Sequence, residues 1–126
     1  MLGHKDAHAN LAVKNLAASR SFYEQTLGLS PVHEEGGELV VYKSGNSLLN
    51  VYRSDFAGTN KATAVTWTVD DVDEVVKKLK SRGVTFEHYD MPGMRRTGDV
   101  HVDVDGDMHV AWFKDPDGNI LNVVDR

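Results

Sequence analysis

The sequence predicts an α+β chain built from two copies of one strand–helix–strand–strand–strand unit. Three observations carry that reading. An alternating stretch at His8–Val13 has a counterpart at Ala64–Val69. Each stretch runs into an Asn or Asp and then a helical stripe that a glycine ends, Gly28 in one copy and Gly83 in the other. The copies also close on matching hairpin ends, Gly-Asn-Ser-Leu-Leu-Asn-Val at 45–51 and Gly-Asn-Ile-Leu-Asn-Val at 118–123. A repeat of this length is one supersecondary unit whose sheet needs a twin to be buried.

The elements follow in order. In the first copy Asn15 precedes a short stripe, Phe22, Tyr23, Thr26 and Leu27, and a strand is expected over Ser30–Glu34. A hairpin then runs from Glu38–Tyr42 through Lys43–Asn46 into Leu48–Tyr52. Residues 53–63 are polar and read as a linker. In the second copy Asp71 precedes Val72, Val75, Val76 and Leu79, which fall at i, i+3, i+4 and i+7 on one helix face. A strand is expected over Val84–His88, and a hairpin from His109–Phe113 through Asp115–Gly118 into Ile120–Val124. Pro116 and Gly118 supply that turn's backbone angles. The second copy is longer by residues 90–108, expected to be a loop carrying Met91, Met94, Arg95 and Arg96. The whole chain, 1–126, reads as one domain, with modules at about 7–53 and 62–126.

Composition narrows the function classes. A chain of 126 residues, 40% hydrophobic and 26% charged, is long enough for one apolar core. No apolar run approaches the length of a membrane span, and residues 1–6 lack the pattern of a signal peptide. With no cysteine there are no disulfides, thiolate metal sites or cysteine nucleophiles. A cytoplasmic location is expected. The net charge of -5 argues against a nucleic-acid partner, which needs a basic face.

Strand parity assigns the two sheet faces. Leu11, Val13, Leu49, Val51, Val65, Trp67, Val69, Leu121 and Val123 share the face expected to lie under the helices. The opposite face carries His8, Asn10, Ala12, Leu48, Asn50, Tyr52, Ala64, Thr66, Thr68, Ile120, Asn122 and Val124. Asn is depleted in strands, and a buried Asn must satisfy both donors and its acceptor. Three Asn, a His and two Thr on this face therefore point to a wet or ligand-filled surface. If Asp105 and Gly106 form a two-residue turn, His101 pairs with Val110 and His109 with Val102, and the two His point to opposite faces. His33 and His88, each beside a Glu, read as exposed strand-edge residues. Sequence spacing assembles no Ser–His–Asp triad.

Asn15-Leu16, then Ser21-Phe22-Tyr23, Leu27-Gly28-Leu29 and, near the end, the run from Trp112 to Asn119 resemble the vicinal oxygen chelate superfamily over roughly residues 7–125. That superfamily includes glyoxalase I, extradiol dioxygenases and the fosfomycin- and bleomycin-resistance proteins. The resemblance implies βαβββ modules whose mixed sheets curl around a cleft with helices outside, usually in homodimers. In its metal-dependent members, ligands come from the first and last strands of each module. Position by position these fall on His8, Ala64, Asn50 and Asn122, so His8 alone keeps a ligating residue of the usual kind. No metal or other cofactor is therefore expected. The expected function is binding of a small molecule, with His8, Asn10, Asn50, Tyr52, Thr66, Thr68, Asn122, Arg95 and Arg96 as candidate ligand contacts. Tyr52 would add an aromatic wall, and the two Arg a lid. The alternatives are a metal-dependent lyase, isomerase or dioxygenase, and a metal-free acid–base enzyme with His8 as its base.

Overall fold

The computed structural model describes residues 1–105 and 108–125. The fold is α+β, with two mixed sheets in two compact units, Met1–Thr59 and Asn60–Arg126.

After a 3-10 turn at Leu2–His4, the first unit runs β1 (Ala9–Val13), α1 (Leu16–Arg20), β2 (Ser30–Glu35), β3 (Leu39–Ser44) and β4 (Ser47–Arg53). Its sheet has the order β1-β4-β3-β2, with β1 parallel to β4 and the other pairs antiparallel. Asn15 caps α1, its side-chain oxygen accepting from the Ala18 N–H at 3.0 Å. The helix continues as a π-helical segment, Ser21–Thr26. That widened turn carries Tyr23 onto Tyr42, ring centroids 5.9 Å apart. Leu11, Val13, Val40, Tyr42, Leu49 and Val51 are buried on this side, as the parity reading expects of its four members of β1 and β4. The Tyr42 hydroxyl donates to Glu24 at 2.9 Å, and Arg20 bridges Glu24 and Glu34. Burial, then Glu24, pushes the Tyr42 phenol well above its ordinary range. Arg20 holds Glu24 below the usual carboxylate value. Gly45, at φ +58°, provides the left-handed residue of the two-residue turn between β3 and β4.

The second unit runs β5 (Thr63–Thr68), α2 (Val72–Ser81), β6 (Phe86–Glu87), β7 (Met94–Thr97), β8 (Val100–Asp103), β9 (His109–Lys114) and β10 (Ile120–Val124). The sheet order is β5-β10-β9-β8-β7, with β6 also paired to β9. Asp71 caps α2 through the Glu74 N–H at 3.1 Å. The helix buries Val72, Val76 and Leu79. On the helix side of the sheet Phe113 meets Trp67 and Phe86, at 6.5 and 5.7 Å.

Two sequence expectations change here. The strand expected over Val84–His88 is only Phe86–Glu87, and it pairs with Phe113 and Trp112, one half of β9's edge. The other half would leave strand N–H and C=O groups without partners, and β8 supplies them through His101 and Val102. Residues 90–108 are therefore not simply a loop: β7 and β8 form a hairpin within them, turned by Gly98 at φ +62°. The pairing of His101 with Val110 and of His109 with Val102 is as expected. Gly106, half of the turn proposed for it, lies outside the described residues.

Candidate ligand-binding site

On the face of the first sheet opposite α1, the register aligns Asn10, Asn50, Val41 and His33 across all four strands. The Asn50 side-chain amide donates to Asn10 Oδ1 at 3.2 Å, and the Asn10 amide donates to the His8 carbonyl at 3.3 Å. The Asn side chains thus form a ladder that anchors the start of β1. The His8 side chain is exposed, just ahead of the strand. Tyr52 stands on the same face, two residues from Asn50 and 38% exposed, next to Ala12 and Leu39 on the flanking strands. His33 was read from sequence as an edge residue only; the β2–β3 register puts it in line with the Asn pair.

The second sheet differs in character. Two rows cross its face opposite α2. One is Thr66, Asn122, Trp112 and Glu87; the other is Thr68, Val124, Val110, His101 and Arg96. Trp112, Val110 and Val124 form a buried apolar cluster, with Tyr89, Met94 and Ile120 packed on it. The polar character expected of this face is therefore corrected for the second sheet: residues from β9 and from the β7–β8 hairpin, absent from the parity argument, make its centre aromatic and aliphatic. Asn122 sits in that centre at 7% exposure, and its Oδ1 is buried with no hydrogen-bond partner among the described residues.

Two placements depart from simple alternation. The β5–β10 register slips between Ile120 and Leu121, leaving Ala64 unpaired and setting Thr63 opposite Ile120. Thr63, not Ala64, then reaches this face, where its hydroxyl accepts from the Trp112 indole N–H at 3.1 Å. Arg95 and Arg96 lie in β7 rather than in a mobile lid, and neighbours in a strand point to opposite faces. Arg96 stands beside His101 and donates to the Gly98 carbonyl at 2.6 Å, while Arg95 pairs across with Val102 on the far side.

His101 is 1% exposed. The Tyr89 N–H donates to its Nε2 at 3.0 Å, so that nitrogen holds the lone pair and the neutral ring carries its proton on Nδ1. Burial pulls its pKa below that of an ordinary histidine. Nδ1 itself is buried without a partner. Tyr89 and His101 both meet the indole edge-on, at 5.3 and 4.9 Å. Sequence reasoning passed over Trp112, Tyr89 and Thr63 as site residues. The signal available was the hairpin through Asp115–Gly118, whose register sets Trp112 opposite Asn122.

Two other features carry no free chemistry. The Asp125 carboxylate accepts from both the backbone N–H and the ring of His109, at 2.6 and 2.8 Å, joining the ends of β9 and β10. A depression of about 350 Å³ in the first unit is lined by Arg20 and Arg53, which already pair with Glu24, Glu34, Glu38 and Asp55. Among the described residues no three His, Cys, Asp or Glu side chains are grouped to hold a metal ion, and no helix is long and apolar enough to cross a membrane.

Residues 6–123 match the family model for the Glyoxalase/Bleomycin resistance protein/Dioxygenase superfamily. No curated protein sequence matches the chain. Among solved structures, a lactoylglutathione lyase from Agrobacterium tumefaciens is 20% identical, with 97% of this chain and 93% of that chain covered and a TM-score of 0.70. A bleomycin resistance determinant encoded on the transposon Tn5 is 19% identical, with 97% and 98% covered and a TM-score of 0.72. TnmS3, an antibiotic binding protein from Streptomyces sp. CB03234, is 20% identical, with 98% and 96% covered and a TM-score of 0.66. Likeness at these identities is likeness of fold, which hosts more than one function.

Proposed function

The chain belongs to the Glyoxalase/Bleomycin resistance protein/Dioxygenase superfamily, and on that premise we propose that it is a small-molecule-binding protein that holds its ligand without a metal ion. One observation carries the reading: the chemistry at His8, Ala64, Asn50 and Asn122. Alanine cannot ligate. The Asn50 amide is spent on Asn10, and Asn122 is buried beside Trp112. Neutral amides bring no charge to balance a divalent cation, and a single exposed imidazole is a weak hold. These residues do not fit the family's metal, so no step is routed through one.

In this reading each sheet's face opposite its helix is a ligand surface taken by itself, working through hydrogen bonds and apolar contact. Asn10, Asn50 and Tyr52 serve on the first, and Thr66, Thr68, Asn122 and Arg96 on the second. Arg95, turned to the other side of β7, leaves the set. The fold is shared with a bleomycin resistance determinant and an antibiotic binding protein as well as with a lyase, so binding is one of the roles this fold carries, and the residues at the four positions above decide for it. A homodimer working in the cytoplasm completes the proposal.

The test is titration of zinc, nickel, manganese and ferrous iron into metal-stripped protein, beside a small-molecule screen. The expected result is no tight metal site, with hits that survive His8→Ala. Tight uptake near one ion per chain, lost in His8→Ala, overturns the reading in favour of metal-dependent chemistry. A turnover abolished by His8→Ala in metal-free protein makes His8 a general base instead.

A further inference from the structure

We propose that Tyr89–Gly93 is a strap that opens as a unit, and that the Tyr89 ring is the plug it lifts from an apolar site on the second sheet. A neutral ligand ring of phenol size takes the vacated place. This rests on the ligand-binding reading above and names the way into its second surface.

The strap is the stretch between two strands. β6 ends at Glu87, β7 begins at Met94, and the residues between them belong to no helix or strand. An unpaired segment must find other partners for its backbone. Among the described residues this one is tied to the rest by the Tyr89 N–H, which donates to His101 Nε2 at 3.0 Å, and by the Gly93 carbonyl, which accepts from the Val104 N–H at 2.9 Å. The Met94 N–H donates to the Met91 carbonyl at 3.2 Å and so closes the strap's own turn. Both ends are pinned. His88 lies 2.8 Å from the Asp99 carboxylate, which Lys80 also grips, and Met94 is paired with Asp103 in the β7–β8 hairpin. Movement is thereby confined to residues 89–93.

Tyr89 is the side chain that holds the strap down. Asp90, Met91, Pro92 and Gly93 are exposed, whereas Tyr89 packs on the cluster of Val110, Trp112 and Val124. Its ring meets the indole edge-on at 5.3 Å and lies 6.4 Å from the His101 ring. A segment with one ring buried and few backbone hydrogen bonds opens at lower cost than the strands around it. The place that opening vacates is apolar and fits an aromatic ring, because Tyr89 already fills it. Trp112 need not move, since its indole N–H is held by Thr63 on β5 and not by the strap. The charges nearest the face are Arg96, in the His101 row, and the Glu87–Lys114 pair, which is self-neutralising at 3.4 Å.

Hydrogen exchange of the wild-type protein tests the strap. The Tyr89 amide should exchange roughly tenfold or more faster than the amides of β9 and β10, after correction for intrinsic rates, and with little dependence on urea, as a local opening does. p-Cresol, the tyrosine side chain as a free molecule, probes the site beneath. By binding the opened form it should speed exchange at Tyr89 and slow it in β9 and β10. Tyr89→Ala vacates the place without any opening. It should bind p-cresol more tightly than wild type by about the closed-to-open ratio that Tyr89 exchange gives, because the wild-type affinity is reduced by the competent fraction. Exchange of Tyr89 in step with β9 and β10 at every urea concentration overturns the strap. p-Cresol that leaves Tyr89 exchange unchanged or slows it, or that binds wild type and Tyr89→Ala equally, overturns the plug. If the proposal falls in either way while screening hits shift the Asn10 and Asn50 amides, the ligand-binding reading stands. If nothing binds at either sheet, both fall.

Discussion

Replacing Asn122 by valine should make the protein more stable, not less. Asn122 is 7% exposed in a strand interior, flanked by Trp112 on one side and Thr66 on the other. Its Oδ1 is buried without a partner, a defect that costs about 1–3 kcal/mol. Valine removes that atom, fits the row beside Val110 and Val124, and is a better strand former. Against these gains stands whatever the side-chain N–H groups donate to, worth about 1 kcal/mol. The net expectation is a gain of about 1–2 kcal/mol. For a domain of this size that raises Tm by roughly 3–10 °C. Urea unfolding followed by circular dichroism measures the free energy directly, with an unchanged m-value as the check that compactness is the same. A loss of 1 kcal/mol or more would refute the reasoning, because it would mean that the carboxamide oxygen is satisfied in the folded protein. A gain in stability with loss of binding would be the pattern of a residue kept for function at a cost to the fold.

Further outcomes can be checked with the same instruments. Asp115 is 4% exposed and accepts from the Asp117 and Asn119 N–H groups and the Asn119 side chain, at 3.0, 2.8 and 2.8 Å. Asp115→Ala should therefore cost about 2–4 kcal/mol and loosen the β9–β10 turn. Lys80, at 2.6 Å, and then His88, at 2.8 Å, hold the Asp99 carboxyl below its ordinary pKa. A depressed folded-state pKa means that its stabilisation is present above the unfolded value, about 3.9, and is lost as pH falls through the folded value. Since Lys80 is 56% exposed, the effect should stay under about 1 kcal/mol; the acid limb of wild-type stability should steepen relative to Asp99→Asn, and coincident limbs would contradict the pairing.

The repeat, the α+β class and most elements were legible because they depend on local pattern. Period two assigned Leu11, Val13, Leu49, Val51, Leu121 and Val123 to one side, and these six are buried, while Val65, Trp67 and Val69 of the same set are only half-buried. Asn15 and Asp71 are caps, as their positions before the helices suggested. Within residues 90–108 the pairing of His101 with Val110 was legible from the expected turn, whereas β7 was not, because Met94–Thr97 is four residues long and carries two arginines. The slip at Ala64 was invisible for a similar reason. Alternation counts residues along one strand, whereas a bulge is a mismatch between two.

The candidate site divides along the same line. The sequence alone determined which residue types stand where the resemblance places the ligand positions, His8, Ala64, Asn50 and Asn122. It also determined that Asn10 and Asn50, and Thr66 and Asn122, lie on one side of their sheets, since parity is a property of the chain. Only the tertiary structure decided what each of these side chains does. It spent the Asn50 amide on Asn10, turned Arg95 away from Arg96's side, tied Trp112 to Thr63 and left His101 and Asn122 each with an unpaired atom. Hydrogen bonds between side chains depend on register and on distances of a few ångströms across strands, and those are set by packing rather than by the order of residues in one strand.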